Sequence, residues 1–223
     1  MIKLTDRLEA IKNRIKTCGR VIDVGTDHGM LPVYLIQSGK ARRVTATDIN
    51  PEPLDKARRL AAECGVSGSI DFLLTDGLAG VQRDADTVVI AGMGGETMIS
   101  IISAAPWLRE RRTRLILQPQ SKQRELTVWL GENGYAVTSA ELVRERDKYY
   151  VIIEVTAGET RMDEYYILRL LDANGDPLLP EYLDALIRRQ RYIVSGLEQS
   201  KNTERLREEK ARLALLSQIR RTR

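Results

Sequence analysis

Four acids in the first half of the chain follow apolar or β-branched runs. Asp23 and Asp27 lie in Val21-Ile22-Asp23-Val24-Gly25-Thr26-Asp27-His28-Gly29-Met30-Leu31-Pro32, Asp48 ends Arg43-Val44-Thr45-Ala46-Thr47-Asp48, and Asp76 sits in Thr75-Asp76-Gly77-Leu78. Each run predicts a buried strand, so the acids fall at strand ends. Two further ends are marked by Gly92-Met93-Gly94-Gly95 and by Gln118-Pro119. In an open parallel sheet a ligand lies over these carboxyl ends. Asp48 can accept both hydroxyls of a ribose, and Asp76 can accept an adenine amino group while Leu78 or Ile49 covers the ring. Asp23 is placed for an ammonium, directly or through water. Gly25, Gly77 and Gly92 let a ligand approach the backbone. The first turn reads Gly-x-x-x-Gly, not the Gly-x-Gly-x-x-Gly of a dinucleotide fold, and its acids would repel a pyrophosphate. They suit a cationic ligand with hydroxyl and amino groups, and S-adenosylmethionine (SAM) is such a cofactor.

The elements that must position these residues alternate. Leu4, Leu8, Ile11 and Ile15 recur at helical spacing, predicting an N-terminal helix over 3–17 with Thr5 or Asp6 as its cap. Strand one turns at Gly25 into a helix near Leu31 that ends at Gly39. Pro51 opens a second helix that stops at Gly65. Strands are expected at 70–74, 86–91 and 114–117, with helices at 96–104 and from Ser121, read as a cap, to Gly134. Runs 135–143 and 148–155 both read as strands. Their four-residue connection is too short for a parallel crossover, so they form a hairpin. The fold class is α/β: the Rossmann-like, seven-stranded sheet of a class I methyltransferase, its last strand pair antiparallel. This domain is expected over 1–158.

From 159 to 223 the signal is helical. Leu183, Leu186, Ile187, Ile193, Val194 and Leu197, then Leu206, Leu213, Leu216 and Ile219, predict two helices in an antiparallel hairpin or coiled coil. The chain's net charge is +4, but residues 185–223 hold eleven Lys and Arg against four Glu, a balance of +7 that leaves −3 for the rest. A basic tail on a near-neutral body suggests a polyanionic partner, met by Arg188, Arg189, Arg191, Lys201, Arg205, Arg207 and Lys210. Hydrophobic content of 43% supports a core. No apolar run approaches the roughly 18 residues of a membrane span, and no signal peptide is visible. Cys18 and Cys64 have neither metal nor redox spacing, so free thiols in a reducing cytoplasm are expected, with no metal site.

Together, Val21 to Pro32 with its Asp-His pair, Thr75-Asp76-Gly77-Leu78, Ile90-Ala91-Gly92-Met93-Gly94-Gly95, Leu115 to Pro119 and Lys148-Tyr149-Tyr150 resemble the TrmK family. These are bacterial tRNA methyltransferases acting on N1 of adenine 22. The resemblance spans essentially the whole chain, tail included. Two departures stand out: strand two continues Ile-Asn-Pro after its acid in place of the family's Gly-Pro, and Gln120 replaces an Asn. The resemblance implies SAM as cofactor and tRNA as partner, with a monomer favoured. Asp27 is then the candidate carboxylate for the exocyclic amino group of the base, stabilising positive charge on the ring. His28, the single histidine, either takes a proton, positions the base or caps a helix. Met93, Gln118, Pro119 and Tyr149 are candidate walls of the base pocket. The absence of an Asp/Asn-Pro-Pro-Tyr motif disfavours methylation of an exocyclic amine, and no cysteine on strand four or five disfavours pyrimidine C5 methylation. A catalytically silent SAM- or RNA-binding module stays open as the alternative to the enzyme.

Overall fold

Val21, Ile22 and Val24 bury the middle of β1 (Cys18–Val24), and the sheet grows outward from it. The computed structural model describes residues 1–198 and 202–221. β2 (Ala41–Asp48), β3 (Ile70–Leu74), β4 (Thr87–Gly94), β5 (Arg114–Ser121), β6 (Tyr135–Glu145) and β7 (Lys148–Ala157) complete one sheet in the order β3-β2-β1-β4-β5-β7-β6. β1 pairs in parallel with both β2 and β4, so the direction of winding reverses between β1 and β4. β7 alone runs antiparallel, against β5 and β6. The register brings Glu145 opposite Lys148, so only Arg146 and Asp147 form the turn, with Arg146 at φ +57.

Helices α1 (Asp6–Arg14), α2 (Met30–Gln37), α3 (Pro51–Glu63), α4 (Gly95–Ser103), α5 (Trp107–Glu110) and α6 (Gln123–Glu132) accompany the sheet. Val21, Val44, Val89, Ile116 and Ile152 from five strands share one core cluster with Ile11 and Ile15 and with Leu35 of α2. Burying each such side chain fully contributes about 1.5–3 kcal/mol, which anchors α1 beneath its charged outer face. Thr5 caps α1, accepting from the Leu8 amide at 3.4 Å.

Two local expectations change. Ser121 is the last residue of β5 and caps nothing; α6 starts after Lys122, which holds φ +54. The reason is long-range: a bulge in β4 carries pairing past Gly92, so Met93 meets Pro119 and Gly94 meets Ser121. Ladder bonding takes the backbone that a cap would need. The short helix α5 had no periodic signal because a single turn is too brief to show one.

By its contacts the chain divides into Met1–Leu170 and Leu171–Arg223. The sequence places the change of pattern at 158/159. The residues between stay with the first unit through the Arg124–Glu164 ion pair at 3.1 Å and the Tyr166 hydroxyl, which donates to the Val137 carbonyl at 3.4 Å. α7 (Tyr166–Ala173) crosses the division. The second unit holds α8 (Leu179–Glu198) and α9 (Thr203–Arg221), whose pairs Asp184–Arg220, Gln190–Glu209 and Glu198–Lys210 run in opposite chain directions. It is an antiparallel hairpin.

Candidate active site

The carboxyl end of β1 is bent by two left-handed residues. Gly25 holds φ +73 and Asp27 φ +52, with Gly29 at +72 closing the turn. The amides of Gly25 and Thr26 both donate to the Thr47 carbonyl of β2, at 2.8 and 3.0 Å. The φ of +73 at Gly25 favours glycine, and the Met93 methyl group packs against it. Gly29 lies against Ala57 of α3, where an added Cβ would come within 2.5 Å of its methyl.

Asp23 is buried, and its Oδ2 accepts from the Thr26 hydroxyl at 2.8 Å. Burial pushes its pKa up to about 6, offset in part by that hydrogen bond and by the charge of Arg7. Asp27 and His28 are exposed, and Asp27 Oδ1 lies 2.8 Å from His28 Nδ1. A carboxylate can only accept, which puts the hydrogen on Nδ1 and leaves Nε2 open to accept a proton. His28 does not cap α2: that position belongs to Gly29, with no side-chain cap bond.

Asp48 Oδ1 accepts from the Asn50 amide at 2.9 Å, which fixes the carboxylate and leaves its other oxygen facing no donor among the described residues. Leu74 is its register partner on β3. Leu74 and Ile49 are exposed large apolar residues, at 55% and 64%. Leu78 is buried and Asp76 exposed, so of the two residues expected to cover an adenine, Ile49 is the one at the surface. Gly77, at φ +56, packs on Ile101, and its carbonyl accepts from the Thr47 hydroxyl at 3.1 Å. Gly92 sits in the β4 bulge at φ +79. Gln118 is fully buried; it accepts from Arg7 Nη1 at 3.0 Å and donates to the Pro119 carbonyl at 3.2 Å. Pro119 is buried and Met93 and Tyr149 half-buried, with the Arg144 guanidinium 6.0 Å from the Tyr149 ring centre. Concavities lined by Gly131, Glu159 and Met162, and by Arg43, Asp71 and Gln82, lie apart from these residues.

A bare glycine turn, a ribose-width carboxylate beside exposed aliphatic surface and an anionic buried acid fit the three parts of SAM: methionine end, ribose and adenine. The fold recurs among known proteins. A methyltransferase-domain family model matches residues 4–153. The tRNA (adenine(22)-N(1))-methyltransferase of Bacillus subtilis is 31% identical over 159 residues, covering 71% of this chain and 67% of that one. This chain belongs to the TrmK family of methyltransferases. The B. subtilis TrmK structure superposes with a TM-score of 0.88 at 25% identity, over 99% of this chain and 100% of that one. That of M. capricolum TrmK in complex with S-adenosylhomocysteine gives 0.82 at 24%, over 96% of each, a likeness of fold.

In this TrmK-family chain the structure gathers Asp23, Gly25, Asp27, His28, Asp48 and Gly92 at the ends of β1, β2 and β4. It keeps Arg188, Arg189 and Arg191 on exposed positions of α8, with no ion-pair partner among the described residues. Lys201 lies outside the described residues, and Lys210 pairs with Glu198 at 2.7 Å. Three further residues carry no mark in the local sequence. Leu74 ended a strand without a polar mark. Tyr192, 84% exposed beside Arg191 and one turn from Arg188, was hidden among the apolar seam positions. Arg7 lay in a helix read only as packing, and nothing in the local sequence announces that its guanidinium reaches Gln118, 111 residues away. No helix among the described residues is long and apolar enough to cross a membrane.

Proposed function

We propose that this chain methylates N1 of adenine 22 of tRNA with SAM, the activity named for its B. subtilis relative. The observation that supports it is the set of carboxylates and bare glycines at the switch point between β1 and β4. Asp48 would hold the ribose through its open oxygen, Asp76 the adenine amino group, and Ile49 with Leu74 the ring face. Bound SAM supplies an electrophilic methyl group on a sulfonium.

Adenine N1 carries its lone pair already, so the chain needs no base before transfer. What it supplies is position and charge. Reacting atoms must be held roughly 3–3.5 Å apart and in line. The free oxygen of Asp27 accepts from the exocyclic amine and stabilises charge growing on the ring, while His28, held through Nδ1, offers Nε2 to the same edge. Met93 and Tyr149, half-buried, flank the extruded base, and the buried Gln118 and Pro119 back them from within the sheet. Arg7 fixes which way the Gln118 amide points.

Arg188, Arg189 and Arg191 serve phosphates, and Tyr192 gives an aromatic face for an unpaired base. The free cysteines suit a reducing cytoplasm, and the protein acts as a monomer. The silent-module reading has no observation in its favour. The test is direct: incubate the protein with unmodified tRNA and SAM, digest to nucleosides and analyse by mass spectrometry. The expected product is 1-methyladenosine. Unmodified adenosine, or a methyl group on the exocyclic nitrogen, would overturn the assignment.

A further inference from the structure

We propose that Arg7 of α1 holds the carboxylate of the cofactor's methionine end while Asp23 takes its ammonium. This rests on the SAM-binding reading of the site.

The placement of Arg7 is built. Its backbone amide donates to Glu145 Oε2 at 3.0 Å, which ties the first turn of α1 to the β6 end of the hairpin. Its guanidinium carbon lies 5.5 Å from the centre of the Tyr150 ring on β7, a cation–π distance. Nη1 donates to Gln118 on β5 and would lie 3.5 Å from a Cβ placed on Gly92 of β4. The side chain therefore spans the carboxyl ends of β4 and β5 and the amino end of the antiparallel β7, and its charge favours the ionised form of Asp23 on β1.

A guanidinium has five N–H donors in a planar fork. Here one serves Gln118, and the rest meet no acceptor among the described residues. A half-buried fork with open donors matches a carboxylate in two parallel hydrogen bonds. The methionine end of SAM carries an ammonium and a carboxylate on one carbon. Asp23 and Arg7 present the opposite charges side by side, and a zwitterion satisfies both at once.

Calorimetry with S-adenosylhomocysteine and its decarboxylated form isolates the contact from the ligand side. Wild type should bind the decarboxylated ligand about ten- to a hundredfold more weakly, the loss expected of a charge-assisted pair. Arg7→Met should lose that same factor for S-adenosylhomocysteine and bind the decarboxylated form within about twofold of wild type. Arg7→Lys should recover part of the difference. Equal weakening of both ligands in Arg7→Met assigns the residue to folding alone and overturns the proposal. So does an unchanged ratio with a raised KM for tRNA, which would place Arg7 at the base. The comparison within wild type needs no variant: if removing the carboxylate there costs nothing, the proposal fails. Wild type that binds neither ligand would instead remove the SAM reading itself.

Discussion

Asp23 carries an electrostatic cost that its position explains. Folding raises its pKa to about 6, chiefly through burial, with Thr26 and Arg7 opposing and Asp48 and Asp27 adding to the rise. An acid raised on folding favours the native state when protonated. That contribution is complete below the unfolded value near 4 and is lost as pH rises through 6. The buried charge then costs roughly 3 kcal/mol at most. Asp23→Asn should therefore unfold at higher urea than wild type at pH 8, with the difference shrinking as pH falls through 6 and closing only below about pH 4. A constant difference across that range would mean that Asp23 is not perturbed. Asp27 calls for a different substitution. At φ +52 an alanine would add strain, whereas asparagine tolerates the left-handed region and removes the charge. Asp27→Asn should keep SAM affinity within a few fold and lower single-turnover methylation about 10²–10³-fold. Unchanged turnover would take Asp27 out of the chemistry.

At the scale of elements, the cofactor turn depends on how closely α2 approaches α3. Gly29 begins α2 in the left-handed region with Ala57 against its α-carbon. Gly29→Ala combines backbone strain with overpacking and should cost roughly 2–4 kcal/mol in urea unfolding. A loss under about 1 kcal/mol would show that the two helices part readily. The β4 bulge is the second such device. It lets Met93 and Gly94 pair with Pro119 and Ser121, which sets Gln118 and Pro119 opposite Ala91 and Met93 at the end of the sheet. A strand-end pattern such as Ala-Gly-Met-Gly-Gly marks a turn in sequence, yet which residue bulges is settled by pairing with β5.

For the whole molecule, the separation of charge predicts a salt signature. Neutralising Arg188, Arg189 and Arg191 to glutamine in the full chain should weaken tRNA binding and flatten the slope of log affinity against log salt by about two to three units. Calorimetric SAM affinity should not move. An unchanged salt slope would place the RNA surface elsewhere, with Arg109, Arg111 and Arg112 the next candidates. The α/β class, the strand-end acids and the hairpin are legible along the chain, because they follow from local periodicity, glycine punctuation and a connection too short to cross over. The tail's charge and its two helices are legible for the same reason. Packing in three dimensions buries Asp23 and leaves Asp27 exposed in a left-handed turn with His28 on its carboxylate. It also ends β5 at Ser121 in place of a cap and carries Arg7 from an unmarked helix to the buried amide of Gln118. Those outcomes rest on contacts between residues far apart in the chain, where long-range pairing and burial outweigh local preference.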